Sequence, residues 1–245
     1  MKNVIAFMWM ISLFPQIVSG KENIPSAEDA VSVSVHIPAV PLFKGKTQNA
    51  LFRIRVYVPE ARQVNLTALE CRLNQPAIDG IEKISMFDTG SEPLFNDVKE
   101  VTTSVVPSSA TLRIPFSIQA KPGIHYLWFS AELKPGADMD KKMLVEPLAL
   151  STGQGKRYAL PLVTKGSPLR YVGVALKNRW DDSVHTYRIP GITATDKGTL
   201  IAVYDVRYKN SGDLPGNIDV GMSRSTDGGR TWEKMKTIMD MGAPH

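Results

Sequence analysis

The sequence predicts an all-β protein: a β-sandwich followed by a short four-stranded antiparallel sheet. Two patterns predict the sandwich. Apolar and polar residues alternate strictly in several short runs, and turn residues separate those runs. No helical periodicity lasts longer than two turns. The third pattern lies near the C-terminus, where four strand candidates follow one another with tight turns between them.

Residues 1–20 read as a secretory signal peptide. Lys2 supplies the positive start, Val4 to Phe14 the apolar run, and Val18-Ser19-Gly20 the small residues ahead of Lys21. That run is too short for a stable membrane span, which takes about 20 residues. An exported protein, periplasmic or extracellular, starting near Lys21 or Glu22 is expected.

Residues 21–162 form the predicted sandwich. Val31, Val33 and Val35 share one face of the first strand. Leu51 to Val58 alternates around Arg53 and Arg55, and Leu112 to Ile118 and Ile124 to Ser130 continue the pattern. Pro38, Pro59, Asp88-Thr89-Gly90, Lys121-Pro122-Gly123 and Lys134-Pro135-Gly136 mark the turns. Residues 163–178 read as a linker. Within 179–245 the four strands are expected at 186–194, 199–204, 218–223 and 231–239. Asp196-Lys197-Gly198 turns the first pair, and Asp227-Gly228-Gly229 the last. Four such strands make one blade of a β-propeller or another small sheet, and the pattern alone does not choose between the two.

Composition narrows the function classes. A hydrophobic fraction of 43% with 22% charged residues is that of a folded chain, not a disordered one. The net charge of +5 is spread along the sequence without a basic, aromatic-interleaved face, so no nucleic-acid partner is expected. Cys71 is the one cysteine, which leaves no disulfide within the chain and no thiolate metal site. It reads as a small, half-buried strand residue. His36, His125, His185 and His245 lack ligand spacing, so neither a metal nor a cofactor is predicted.

Two local sequences carry a family resemblance. Tyr187-Arg188-Ile189-Pro190, followed by Gly191-Ile192, resembles the Tyr/Phe-Arg-Ile-Pro motif of sialidases. Ser225-Thr226-Asp227-Gly228-Gly229-Arg230-Thr231-Trp232 resembles their Asp-box. In this order within one blade, they identify the chain as resembling the N-terminal part of a bacterial exo-α-sialidase. The resemblance implies an accessory β-domain and then the first blade of a six-bladed propeller, with the chain ending before the rest. It also implies that the substrate is a sialylated glycan, whose terminal α-linked sialic acid carries a carboxylate on the anomeric carbon. A planar guanidinium suits that carboxylate through paired charge-assisted hydrogen bonds.

Residue by residue, Arg188 matches the motif arginine, one of three that hold the carboxylate in the family. Arg207, at the end of Val203-Tyr204-Asp205-Val206-Arg207, resembles a further substrate contact outside that trio. Asp213 falls where the family places its acid/base aspartate, although by residue type alone it reads as a turn aspartate beside Gly212. Ser225, Asp227, Gly229 and Trp232 are assigned to structure. The family's tyrosine nucleophile, its glutamate and two more arginines come later in the propeller. Tyr204 and Tyr208 do not match their places, so the chain by itself is expected to be inactive.

Two other readings stand beside the enzyme. One is a non-catalytic glycan-binding module that stacks sugars on exposed aromatics. For it, Trp128 and Tyr126 are placed on opposite faces of their strand, so at most one meets solvent, and Trp128 is expected in the sandwich core. The other is a propeller used only for protein contacts, for which the set Arg188, Arg207 and Asp213 has no use.

Overall fold

The computed structural model describes residues 30–60, 62–95, 104–161, 167–240 and 242. The predicted signal peptide and part of the predicted linker lie outside these residues. The described residues are all-β apart from one short helix and one 3-10 turn. It divides into two compact units between Val172 and Gly173.

The N-terminal unit is a two-sheet sandwich. One sheet has the order β1(Ser32–His36), β3(Asn49–Val58), β7(Gly123–Leu133), β5(Ile81–Asp88). The other has the order β10(Leu169–Arg170), β8(Met143–Thr152), β4(Val64–Leu73), β6(Thr111–Ala120), with β9(Arg157–Ala159) also on β8. All pairings are antiparallel. The short β2(Leu42–Lys44) precedes β3, and α1(Gln75–Gly80) joins β4 to β5.

Alternation decides which side chains meet between the sheets. Phe52, Ile54, Val56 and Val58 of β3 point into one core with Leu112, Ile114 and Ile118 of β6 and with Leu127 and Phe129 of β7. Phe52 and Phe129 stack with ring centroids 5.1 Å apart. The pattern in β4 breaks, because Leu66 and Leu69 are three apart yet both in the core. A bulge between Leu66 and Ala68 inserts the extra residue that makes this possible.

Cys71 is fully buried here rather than half-buried, and burial pushes its thiol far up from the usual range. It is an apolar filler and not a nucleophile. The helix α1 was not legible as a period, since it has only six residues. It is set by its cap: Asn74 Oδ1 accepts from the Ala77 N–H at 3.1 Å, and Pro76 stands in the first turn.

Tyr126 and Trp128 correct the expectation. Residues two apart in a strand share a face, and Arg53 lies over both rings, 4.7 Å from the centroid of Tyr126 and 5.8 Å from that of Trp128. Both are buried, but on the outer side of β7 rather than in the core between the sheets. Phe95 stacks on Trp128 at 5.3 Å, and the Pro93 carbonyl accepts from Arg53. Neither ring is available as a sugar platform.

Two buried polar side chains tie the unit together. The Arg170 guanidinium donates to the carbonyls of Val40, Ala50 and Leu51, and burial lowers its pKa to about 10. Asn49 satisfies four backbone groups. Its Nδ2 donates to Phe43, Lys46 and Ala131 carbonyls at 3.0, 3.2 and 3.1 Å, and its Oδ1 accepts from the Phe43 N–H at 2.8 Å.

In the C-terminal unit, β11(Val172–Val174) straddles the point of division and the 3-10 turn Asp181–Ser183 leads into a sheet in sequence order: β12(Thr186–Ala194), β13(Leu200–Arg207), β14(Ile218–Ser225), β15(Lys236–Met239). The fourth strand starts later than expected, because Thr231 and Trp232 belong to the preceding turn. One face packs Val184, Tyr187, Ala202, Tyr204 and Val206 together. Tyr187 meets Tyr204 edge-on at 5.5 Å, and the Tyr204 hydroxyl pairs with Ser223 Oγ at 2.7 Å. Gly221 is required opposite them, since a Cβ there would sit 2.8 Å from the Tyr204 ring.

Replacing Asn49 by Ala strands buried donors and acceptors that water cannot reach. Such groups cost about 1–3 kcal/mol each, so Asn49→Ala is expected to lower stability by about 3 kcal/mol or more. Urea unfolding of the chain followed by circular dichroism checks this, and an unchanged midpoint would show that the Asn49 bonds are dispensable.

Candidate functional site

Arg188, Arg207 and Asp213 come together at one end of the C-terminal sheet. The ladder brings the first two close: Thr186 pairs with Arg207, and Arg188 pairs with Asp205. Immediately after Arg188 the register slips by one residue, so that Gly191 faces Val203. Pro190, which lacks a ladder donor, sits at this bulge inside the strand, where the bulge spares the ladder bond. Ile189 takes φ 51°, an outlier for a β-branched residue, and is 61% exposed. The backbone is strained where it aims Arg188.

Arg207 is the electrostatic centre. Its side chain is 2% exposed, while that of Asp213 is 76% exposed. Nη2 donates to Asp205 Oδ2 at 2.7 Å and to Asp213 Oδ1 at 2.6 Å. Nη1 donates to the carbonyls of Ser211 at 2.9 Å and Gly212 at 2.6 Å. Burial alone would lower its pKa, but the bonds and charges of Asp205 and Asp213 outweigh burial and hold it above the ordinary value. Arg207 thus stays cationic at any working pH.

Arg188 Nη1 donates to the same Ser211 carbonyl at 2.9 Å and stands 4.0 Å from Asp213 Oδ1. Arg188 is only partly exposed. The segment between β13 and β14 is shaped by Asn210, whose Oδ1 accepts from the Gly212 N–H at 2.8 Å. Beside it opens a depression of about 410 Å³, with Asp205, Arg207 and Asp213 on its polar side and Ile189, Leu214 and Met239 on its apolar side. Asp205 is the member that the sequence reading passed over. Its register opposite Arg188 and its place two residues before Arg207 were the available signal.

The tyrosines near this site are held protonated. Burial first, and then the charge of Asp182, pushes Tyr187 far up. Burial raises Tyr204, and burial with the Asp219 bond raises Tyr208. None is an activated nucleophile. Among the described residues no group of His, Cys, Asp and Glu is arranged to hold a metal ion.

The residues assigned to structure form a closed turn away from the arginines. Ser225 Oγ donates to Asp227 Oδ1 at 2.7 Å and accepts from the Gly229 N–H at 2.8 Å. The Asp227 carboxylate accepts from the Arg230 and Thr231 N–H groups at 3.0 Å and from Thr231 Oγ1 at 2.6 Å. Gly228 and Gly229 supply φ 73° and 86°, and Trp232 Nε1 donates back to the Gly229 carbonyl. The Thr231 hydroxyl and amide, followed by Ser225, hold the Asp227 carboxyl well below the usual range.

Comparison with known proteins shows which family the chain resembles. The family model described as the N-terminal domain of BNR-repeat neuraminidase matches residues 30–156. A sialidase of Bacteroides fragilis is 31% identical over 89% of this chain, which covers 44% of that protein. A sialidase of Micromonospora viridifaciens is 35% identical over 39% of the chain and 15% of its own length. Among solved structures, the Hadza microbial sialidase Hz136 superposes with a TM-score of 0.70 at 27% identity, over 84% of this chain and 44% of that one. The chain therefore spans less than half the length of these relatives.

A carboxyl held low in the folded state contributes stability above its unfolded pKa, about 4, and loses that contribution as pH falls through the folded value. Asp227→Ala is thus expected to lower the urea midpoint of the C-terminal unit at neutral pH. The gap to the parent chain should shrink as pH drops below about 4. Equal gaps at both pH values would show that the turn does not depend on the ionised carboxylate.

Proposed function

The chain belongs to the BNR-repeat neuraminidase family, and from that premise we propose that it supplies part of the site of an exo-α-sialidase acting on terminal α-linked sialic acids of glycoproteins, glycolipids and oligosaccharides. One observation carries the reading: an aimed arginine, a second arginine locked cationic and an exposed aspartate lie within one hydrogen-bonded cluster.

In this reading Arg188 receives the sialic-acid carboxylate. Its planar fork offers parallel donors, and the strained bulge fixes its direction. Asp213 protonates the glycosidic oxygen as the leaving group departs, then removes a proton from the incoming water. High exposure suits a group that must reach a substrate atom. Arg207 holds the Asp213 carboxylate in place and adds positive potential where the anionic substrate lands. Sialidases depart from the two-carboxylate pattern by using a tyrosine nucleophile. The raised pKa values of Tyr187, Tyr204 and Tyr208 leave that step to groups outside this set. Burial of Tyr126 and Trp128 takes from the glycan-binding alternative the two rings considered for it, while Tyr171 and Trp180 are exposed.

In the complete enzyme, Asp213→Ala is expected to slow hydrolysis of a natural sialoside by about a hundredfold or more. The loss should be much smaller for an aryl sialoside, whose leaving group needs no proton. Arg188→Ala should weaken a sialic-acid-like inhibitor with both substrates. Unchanged turnover of the natural sialoside by Asp213→Ala would remove its acid/base role.

Export follows from the Lys2, Val4–Phe14 and Val18-Ser19-Gly20 pattern. N-terminal sequencing of the secreted protein should begin at or near Lys21, and retention of Met1 would contradict it.

A further inference from the structure

The arginine that should await a carboxylate is already in use. We propose that the 210–213 segment is a latch: in the free protein its own acceptors occupy Arg188 and Arg207, and an anionic ligand must displace the segment to bind. The proposal rests on the reading of Arg188 as the carboxylate receiver.

The geometry is that of a substrate stand-in. The Ser211 carbonyl takes one donor from Arg188 and one from Arg207, both at 2.9 Å, and so bridges the two guanidinium groups. Asp213 adds a carboxylate oxygen 2.6 Å from Arg207 and 4.0 Å from Arg188. Together they present oxygen acceptors to both cations, as a bound carboxylate would. Positively charged Arg207 is buried, so its acceptors cannot be given up without a replacement. Arg188 is partly exposed, and its bond to a neutral carbonyl is weaker than one to a carboxylate. The Arg188 side of the latch therefore opens first.

The segment is built to move. Residues 209–215 are exposed, and the Asn210 side chain closes the turn through one bond to the Gly212 N–H. A ligand that binds only the open form sees its affinity reduced by the fraction of molecules that are open. Loosening the latch should tighten binding, which a purely catalytic role for Asp213 would not produce.

Chemical modification of arginine reads the latch without requiring activity. The chain is treated with phenylglyoxal, and modification of each arginine is followed by mass spectrometry of its peptides. Asn210→Ala should speed modification of Arg188 about fivefold, the factor that the net loss of one hydrogen bond carries. Asp213→Lys, which places a cation beside both arginines, should speed it further. Arg113, already 58% exposed on the sandwich, should react equally in all three proteins and reports any general unfolding. Equal Arg188 rates in the parent chain and Asn210→Ala overturn the latch, as does a rise matched by Arg113. A second arm adds sialic acid to Asn210→Ala. Protection of Arg188 is expected; its absence alongside the faster rate would sink the carboxylate role and leave the latch standing.

Discussion

A buried guanidinium has to be answered by acceptors, and the C-terminal unit is organised around answering one. Arg207 sits at the end of β13 with almost no exposure, and a buried cation without partners costs several kcal/mol. Two carboxylates and two carbonyls answer its Nη1 and Nη2, while the buried Nε has no hydrogen-bond partner among the described residues. Asp205 comes from the same strand, two residues back, on the same face. The other three acceptors come from the connection to β14. The need of Arg207 therefore dictates the path of that connection, and the path dictates where Asp213 stands. The site is a consequence of satisfying a charge.

The N-terminal unit solves the same problem with neutral groups. Arg170 is met by three carbonyls, and burial lowers its pKa to about 10. Asn49 does comparable work with no charge at all. The contrast has functional content. Arg170 and Asn49 hold strands together and need nothing mobile. Arg207 uses an exposed aspartate on a connecting segment, an arrangement that serves fixation less well and chemistry better.

Much of this was legible in the sequence where one force dominates. Strict alternation from Phe52 to Val58 of β3 and along β6 reads directly, because burial of one face outweighs every other preference there. The Asp-box turn reads from residue types, because two adjacent positive φ values call for Gly228 and Gly229. Legibility fails where two demands compete. In β4 the bulge after Leu66 resets the alternation, and no single residue announces it. Pro190 removes a ladder donor, yet the bulge absorbs it inside β12. Trp128 was expected between the sheets, yet Arg53 and Phe95 bury it on the outer side, through contacts distant in sequence. Asp205 was passed over because only the pairing of β12 with β13 sets it beside both arginines.

The two aspartates Asp213 and Asp227 show what residue type alone cannot decide. Both follow or precede glycine in a polar turn, and both carry exposed carboxylates. Asp227 receives its bonds from N–H groups and hydroxyls of three residues of its own turn, Ser225, Arg230 and Thr231. Those donors are part of its own turn, so moving the carboxylate means unmaking the turn. Asp213 is held by the side chain of Arg207, which belongs to another element and keeps three further acceptors. The Asp213 carboxylate can leave without unmaking a turn once another acceptor takes its place on Arg207, while the Asp227 carboxylate cannot. That difference in what each bond is anchored to, more than any difference in exposure, separates a carboxylate fit for proton transfer from one fit for holding a turn.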